Sequence, residues 1–314
     1  MRIEKGGHNN RMARVLTLLY HRVINLKYDK NLLAVTPDNF YRQMMFLKKN
    51  YPIVRFEQDW KDLNNDAVCI TFDDGYFDNF INALPILKEM DIPATVFVTT
   101  GNIDSTREFW WDELERILLD TQRVYQKVFK LDDEMFSCQW STQSFDDREE
   151  LYATLHWLMH DKITVDKREE WMSQLREWSN AGTMGRMQNQ GMQINRIERI
   201  PQLLTIGAHT VNHPSLRNLS VQEQEYEICQ SIQQLEKMLQ RKITTFSYPF
   251  GTENDFDEIA VEICKREKIH KAASCISGIW KPGDDEYRIP RKIVRNWDID
   301  EYARKIEEYW NYSK

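Results

Sequence analysis

The feature that most constrains the fold is a repeated alternation of short apolar runs with amphipathic stretches. Runs rich in β-branched and aromatic residues read as strands, and helical patterns fall between most of them. Strands that alternate with helices form parallel sheets, and about seven strands favour a closed or nearly closed barrel over an open sheet. The sequence therefore predicts an α/β fold, a distorted barrel of the (β/α)7 type. The predicted strands are 15–20, 52–55, 67–72, 94–98, 203–208, 244–247 and 272–276.

One long segment interrupts this alternation. About a hundred residues without a clear strand separate 94–98 from 203–208, whereas a βα connection usually takes about 2 to 6 residues. Three stretches inside the segment carry apolar residues at helical spacing, and a polar loop is expected near 180–195. We therefore predict a single domain, 1–314, that contains a helical insertion at 101–201 folded as a cap.

Two tryptophans, Trp110 and Trp111, begin the first helical stretch of this insertion. Tryptophans of a helical cap usually pack in its core. The second interpretation is an aromatic platform for a sugar or a lipid, because these two residues lie nearest in sequence to the end of the strand at 94–98. The sequence is compatible with both interpretations.

Composition excludes several classes of protein. The chain has 314 residues with 41% hydrophobic content, which is enough for a large core. A net charge of −7, without a long Lys/Arg stripe, argues against nucleic acid as a partner. Five cysteines without CxxC spacing indicate reduced thiols, and the apolar run at 15–20 is too short for a signal sequence or a membrane span. We expect a cytoplasmic protein without a transmembrane segment.

Two adjacent carboxylates, Asp73 and Asp74, follow the predicted strand 67–72 and precede a glycine. Asp-Asp-Gly is also ordinary turn chemistry, because aspartate side chains bond nearby backbone N–H groups and glycine accepts positive φ. However, a helical pattern at 77–90 and the strand at 94–98 complete a βαβ unit around the pair. The two acids therefore lie at the carboxyl end of a parallel strand, where α/β folds place their chemistry.

Two histidines at metal-ligand spacing follow another predicted strand. His209 and His213 are four residues apart, and Pro214 keeps His213 out of a continuing helix, so both belong to a loop or a single turn. Catalytic zinc takes three protein ligands and leaves a position for water, and two histidines with one carboxylate form such a set. Because adjacent residues at a strand end project to opposite sides, one aspartate would bind the metal and the other would act as general base. The cation would then make the close carboxylate pair tolerable.

These stretches carry a resemblance to a known family. TFDDG at 71–75 and HTVNHP at 209–214 resemble the first two motifs of the polysaccharide deacetylases, the NodB-like carbohydrate esterases of family 4. The resemblance covers most of the barrel and leaves the insertion outside. It implies that Asp73 is the catalytic base. It also implies a divalent metal, expected to be Zn²⁺, with the ligands Asp74, His209 and His213.

FSYPFG at 246–251 is similar to the third motif of the same family. The similarity implies that the backbone N–H of Phe250 helps to hold the oxyanion and that Tyr248 and Phe250 contact the substrate.

Two residues of the family pattern are missing from their usual places. Ser247 stands where the family commonly has an arginine that orients the base. Arg291 is our first choice for the residue that replaces this arginine, and Arg288 is the second. Alternatively, both could form salt bridges at the end of the barrel. The late histidine that serves as general acid is also missing. LLYHRV at 18–23 resembles the arrangement of the poly-N-acetylglucosamine deacetylase branch, which implies that His21 is the acid.

The resemblance implies a metal-dependent carbohydrate N-deacetylase, a hydrolase acting on an N-acetylated amino sugar in a polysaccharide or in a glycan precursor for the cell surface. Hydrolysis of another acyl or formyl amide is one alternative, and a catalytically silent carbohydrate-binding module is another. The silent module is weakened because every ligand position and the base position are filled. The remaining histidines of the helical or charged stretches are expected on the surface: His156, His160 and His270.

Overall fold

The alternation in the sequence is realised as strands and helices in the computed structural model, which describes residues 12–120, 125–134, 137–196 and 200–312. In chain order the strands are β1 (Val15–Tyr20), β2 (Arg22–Val23), β3 (Ala34–Val35), β4 (Ile53–Val54), β5 (Ala67–Phe72), β6 (Ala94–Val98), β7 (Val128–Asp132), β8 (Ser137–Ser141), β9 (Leu204–Ala208), β10 (Thr245–Ser247), β11 (Lys271–Ala273) and β12 (Arg291–Ile293). The α-helices are α1 (Pro37–Asn50), α2 (Leu84–Glu89), α3 (Trp110–Leu119), α4 (Phe145–Asp161), α5 (Val165–Ser179), α6 (Val221–Leu239), α7 (Glu258–Arg266) and α8 (Ile299–Tyr312).

Eight of these strands form one parallel sheet. Its order is β11, β10, β9, β6, β5, β1, β12, and β4 also pairs with β5. Every residue of β1 has a partner on β5, from Val15 opposite Ala67 to Tyr20 opposite Phe72. A bridge between Ala273 and Ile289 joins β11 to the segment that leads into β12, so the sheet is nearly closed. The predicted α/β barrel is confirmed.

Strand alternation divides the apolar side chains of the barrel between its two sides. Those that face the helices form a large outer cluster, which includes Leu16, Leu18, Val68, Ile70 and Val96. Those that point inward fill the amino-terminal half of the barrel, and they include Val15, Cys69, Phe97 and Trp280. The strands are apolar along their length because both sides are covered. The lower barrel is therefore a packed, mostly apolar core, in which Lys271 at the start of β11 is a buried charged residue.

The insertion at 101–201 contains the three predicted helices, now α3, α4 and α5, and also an antiparallel hairpin of β7 and β8. The prediction of a segment without strands is wrong at this hairpin. In β7 only Phe129 and Leu131 are buried, and β8 is a polar sequence, SCQWS. Five residues of alternation are too short to distinguish a strand from a loop by pattern, and the strand is stabilised by its pairing.

The insertion has an apolar cluster of its own. Its members come from α3, β7, α4 and α5, and the barrel contributes Tyr76 from the turn after β5. The Tyr76 ring lies 4.4 Å from that of Phe109, centroid to centroid, and its hydroxyl accepts a hydrogen bond from Trp111 Nε1 at 2.8 Å. The insertion is thus packed directly against the residues that follow the two aspartates.

Capping residues mark the starts of α1 and α6. Thr36 Oγ1 accepts a hydrogen bond from the Asn39 N–H, with Pro37 in the first turn of α1. Ser220 and Glu223 form a capping box at the start of α6. Within the described ranges, every helix is too short or too polar to span a bilayer.

Candidate active site

The polar residues singled out in the sequence meet at the carboxyl end of the barrel. Asp73 follows β5, His209 follows β9 and Ser247 ends β10. Arg291 lies lower, opposite Thr17 in the middle of β1, and its long side chain extends upward inside the barrel. Above these residues is a cavity of about 510 Å³, whose lining includes His21, Asp73, Asp74, His209 and His213.

Three buried side chains form a group that fits a metal ion. One ligand atom from each of Asp74, His209 and His213 lies within 4.8 Å of the others. Asp74 Oδ1 is 3.3 Å from His213 Nε2 and 3.7 Å from His209 Nε2, and no described residue gives it a hydrogen bond. His209 Nδ1 is 2.7 Å from the Ser247 carbonyl oxygen, which fixes the tautomer with Nε2 as the free nitrogen. The donor set, two imidazoles and one carboxylate, suits zinc.

The charge states of these ligands also suit a metal. Burial lowers the pKa of His209 to about 4 and that of His213 to about 3, so both imidazoles are neutral at pH 7, the form that binds metals. The nearby Arg168 guanidinium adds to the lowering of the His213 pKa. Burial raises the pKa of Asp74, which is the expected state of a buried carboxylate before a cation compensates it.

A sharp turn, rather than strand alternation, aims Asp74. The strand β5 ends at Phe72, and the positive φ angles of Asp74 (69°) and Gly75 (77°) turn the chain back. A Cβ atom at Gly75 would lie 2.9 Å from a methyl group of Val98, so the position requires glycine. Contrary to the expectation from alternation, both aspartates reach the same cavity, because the turn rotates the second side chain towards the first.

The Asp73 carboxylate is held by Arg291 in a bidentate ion pair. Arg291 Nη1 and Nη2 donate to Asp73 Oδ1 and Oδ2, each at 2.7 Å, and Arg291 is 2% exposed. Ser247 accepts from Arg291 Nη2 at 2.9 Å, and its hydroxyl donates to Asp73 Oδ2 at 3.2 Å. Burial opposes ionisation, but the guanidinium outweighs it and, with His209, holds the pKa of Asp73 well below its usual range. Asp73 is therefore a carboxylate at neutral pH, and Arg291 occupies the space that Ser247 leaves.

The structure distinguishes between the two arginines, Arg291 and Arg288, that are candidates to orient the base. Arg291 reaches Asp73, whereas Arg288 forms surface ion pairs with Asp285 and Glu258, each at 2.5 Å. His21 follows β1 and lines the cavity as a half-buried side chain. Burial lowers the pKa of His21, and the nearby carboxylates of Asp74 and Asp73 oppose this by favouring the protonated ring.

The residues predicted to contact substrate fall in different places. Phe250 lines the cavity with a positive φ of 58°, and no described residue accepts a hydrogen bond from its backbone N–H. Tyr248 is fully buried and stacks on Phe256 with 4.0 Å between ring centroids, away from the cavity lining. Trp111 lines the cavity and its ring lies 4.7 Å from that of His213. Trp110 lines a separate cavity of about 350 Å³.

Sequence reasoning missed the side of the cavity that the insertion supplies. His156 and His160 of α4 line the cavity, so the expectation of surface positions is wrong for both. They are four residues apart, the same spacing that identified the metal histidines, and this places them on one face of the helix. That spacing was the available signal. What the face of α4 would meet depends on tertiary packing.

Comparisons with known proteins agree with this fold. The deacetylase PplD of Streptococcus pyogenes, solved in complex with acetate, superposes with a TM-score of 0.55 at 19% identity, covering 94% of this chain and 98% of that one. IcaB from Ammonifex degensii gives a TM-score of 0.53 at 17% identity, covering 95% and 97%. At these identities the likeness shows a common fold.

Sequence comparison adds the family. YxkH of Bacillus subtilis (strain 168), whose name places it among the polysaccharide deacetylases, is 33% identical over 98 residues, and the match spans 29% of this chain and 34% of that protein. The match thus covers about a third of the relative's length. The sequence profile described as polysaccharide deacetylase matches residues 61–144 and 179–266, more than half of the chain. With the motif residues gathered around one cavity, this match shows that the chain belongs to the polysaccharide deacetylase family.

Proposed function

We propose that this protein is a metal-dependent N-deacetylase that removes acetyl groups from an amino sugar in a polysaccharide or a glycan precursor. The observation that carries the proposal is an arginine-paired carboxylate, Asp73, 3.9 Å from an imidazole of the three-residue metal group. Family membership supports an acetylated sugar as the substrate. The acetate in the PplD structure is the product that such a reaction releases.

The metal ligands would be one carboxylate and two imidazoles. Asp74 would bind through its unpartnered Oδ1, and His209 and His213 through Nε2. A divalent ion, which we propose to be Zn²⁺, would supply Lewis-acid activation of water and of the amide carbonyl. The Ser247 carbonyl keeps the His209 ring in the orientation that this binding needs.

Asp73 would act as the general base. The ion pair with Arg291 fixes both of its oxygens and keeps it ionised, so the carboxylate can accept a proton from the attacking water. Arg291 acts through Asp73, as a positioning residue, because it is fully enclosed beneath the cavity floor. Its guanidinium also donates from Nε to the Ser274 carbonyl oxygen at 2.8 Å, which fixes the direction of the fork.

Two further groups would complete the reaction. The Phe250 N–H, free of a described acceptor, would donate to the oxygen that becomes negatively charged as the carbonyl is attacked. His21, on the cavity lining after β1, would give a proton to the leaving amine.

The test is acetate release. Purified protein loaded with Zn²⁺ is incubated with N-acetylglucosamine oligomers, N-acetylgalactosamine oligomers and N-formyl analogues, and acetate and formate are quantified. We expect acetate from an acetamido sugar and none from the His209→Ala/His213→Ala double variant. Equal release from both proteins, or formate release alone, would contradict the proposal.

We further propose that the reaction takes place in the cytoplasm, on a precursor of a surface glycan. All five cysteines are free, and two of them, Cys69 and Cys264, are buried, which suits a reducing compartment. Fractionation of cells that express the tagged protein tests this proposal, and recovery outside the cytoplasmic fraction would contradict it.

A further inference from the structure

The family profile matches 61–144 and 179–266, and α4 and α5 occupy the unmatched stretch between them. These two helices nevertheless reach the site. We infer that α4 and α5 position two loops of the site. Arg168 of α5 positions the metal loop, which we define as residues 209–214. His160 of α4 positions the oxyanion loop, which we define as residues 249–255. The inference rests on the proposed function for the roles of the two loops, and its contacts are independent of that function.

Arg168 of α5 holds the metal loop through its backbone. Its Nη2 donates to the Asn212 carbonyl oxygen at 2.6 Å and its Nη1 to the His213 carbonyl oxygen at 3.4 Å. Arg168 is 7% exposed, and its guanidinium lies 5.1 Å from the centroid of the Trp110 ring, which limits its motion. A buried arginine that donates to two successive carbonyl oxygens fixes the orientation of the peptide groups on both sides of His213.

The opposite side of the metal loop is held by the barrel. Glu227 of α6 accepts from the N–H groups of Val211 and Asn212, each at 2.8 Å, and from the Asn212 side chain at 2.7 Å. His213 has a φ of 53°, an unfavourable conformation for a non-glycine residue that neighbouring contacts must maintain. The metal loop is therefore held between a helix of the family fold and a helix of the insertion.

His160 of α4 holds the oxyanion loop in a comparable way. Its Nε2 is hydrogen-bonded to Asp255 Oδ1 at 2.9 Å, and its ring lies 3.7 Å from the Phe250 ring. Asp255 in turn accepts from the Thr252 N–H at 2.9 Å. Phe250 and Gly251 both have positive φ, so the direction of the Phe250 N–H depends on a backbone conformation that these contacts support.

The simpler explanation is that both residues only stabilise the insertion. Arg176 provides a matched control, because it is also a buried arginine of α5, 9% exposed, and it pairs with Glu113 and Glu169 without touching either loop. His156 provides the control for α4. It lies one turn before His160 and contacts Trp110 and Tyr152 instead of the oxyanion loop.

The first experiment measures zinc affinity by calorimetric titration of the metal-free protein. We expect Arg168→Met to weaken Zn²⁺ binding by about 10-fold or more, as the loss of other groups that orient metal ligands does. Arg176→Met should keep the wild-type affinity, and Arg168→Lys, which retains one donor, should recover part of the loss. A folded Arg168→Met variant with wild-type affinity overturns the inference, as does an equal loss in Arg176→Met.

The second experiment follows the Phe250 amide by NMR in protein labelled with ¹⁵N-phenylalanine, with Phe250→Leu identifying the peak. His160→Ala should shift this peak and leave the zinc affinity unchanged, whereas His156→Ala should leave the peak in place. On an active acetamido sugar, His160→Ala should lower kcat by about 10-fold with a smaller change in KM, a fraction of the loss expected when an oxyanion donor is removed. An unmoved peak overturns the role of His160.

Failure of the proposed function would look different. Wild-type protein that releases acetate from none of the sugars would contradict the proposed reaction. The zinc affinities and the Phe250 peak would still decide whether α4 and α5 position the two loops.

Discussion

Asp73 and Asp74 are neighbours whose charges are compensated by different groups. Arg291 neutralises Asp73 within the protein, whereas Asp74 has an unpartnered oxygen directed at the two histidines. The sequence predicts that a metal ion alone makes the close carboxylate pair tolerable. In the structure Arg291 already keeps Asp73 ionised, so a metal ion would have only Asp74 to compensate.

The base assignment predicts that Asp73→Asn retains zinc and loses acetate release. Asparagine can still accept from Ser247, but it cannot accept a proton, and the metal ligands are unchanged. The variant leaves Arg291 without its anionic partner, so we expect a stability loss of up to about 3–5 kcal/mol. Zinc content, circular dichroism and acetate release are measured on the same sample. Wild-type turnover in a folded, zinc-loaded sample would rule Asp73 out as the base.

The acid assignment predicts a slower reaction without loss of the metal. His21→Ala should reduce kcat by about 10² to 10⁴-fold, the usual contribution of a positioned proton donor. The imidazole is not one of the three metal ligands, so zinc affinity serves as the internal control. Turnover within a factor of two of wild type would remove His21 from the mechanism and leave the base assignment intact.

The buried carboxyl group of Asp112 should make the free energy of unfolding depend on pH. Burial raises the pKa of Asp112 to about 7, and the Tyr76 hydroxyl donates to its carboxyl group at 2.6 Å. The carboxyl keeps its proton in the folded state while the unfolded chain ionises near pH 4, so the free energy of unfolding should fall between about pH 4 and pH 7. Asp112→Asn should remove this part of the decline, as measured by denaturant unfolding at pH 4, 5.5 and 7. The exposed Asp146→Asn variant is the control, and parallel slopes for wild type and Asp112→Asn would contradict the prediction.

At the scale of elements, α3 presents its two tryptophans to different cavities. Trp111 faces the large cavity and contacts His213, whereas Trp110 lies between Arg168 and His156. Of the two rings, Trp111 lines the cavity of the candidate site, so it is the candidate for contact with substrate. We expect Trp111→Phe to raise KM for the active sugar and Trp110→Phe to leave KM unchanged, with both variants losing some stability. Steady-state kinetics and melting temperatures are measured for both variants and for wild type. A wild-type KM in both variants would show that neither ring contributes to substrate binding.

The elements that could be predicted from the sequence are those whose pattern is local. All seven predicted strands appear, because a parallel strand buried on both sides is apolar along its length. The strand β12 begins with Arg291 and Lys292 and has three residues, so no local pattern marks it. Its pairing with β1 is what makes it a strand. Helical periodicity predicts the insertion helices α3, α4 and α5, whereas the hairpin of β7 and β8 between α3 and α4 is too short to show a pattern.

In the candidate site, too, the residues that could be predicted are those that belong to local sequence motifs. Residues within the compact motifs, Asp73, Asp74, His209 and His213, could be located together from their positions at strand ends. The contribution of α4 could not, because the role of His160 depends on its packing against the oxyanion loop, about ninety residues later in the chain. Tyr248 shows the reverse case, since a motif position predicted to meet substrate lies in the core.

For the whole molecule, zinc binding should act as a stabilising ligand. An ion that binds only the folded protein adds RT ln(1 + [Zn]/Kd), about 2.7 kcal/mol at a hundredfold excess over Kd. Thermal unfolding with zinc and with a chelator should show this shift in wild type. The His209→Ala/His213→Ala double variant should melt at the same temperature in both solutions, and an equal shift there would place the ion elsewhere.

The near-closure of the barrel by its last strand sets an order of assembly during synthesis. Asp73 and Arg291 are 218 residues apart, and the ion pair forms only when β12 has docked on β1. A chain leaving the ribosome contains all three metal ligands well before it contains this arginine. The arginine that orients the proposed base is therefore synthesised last, and a chain truncated before β12 would carry the three candidate metal ligands without it.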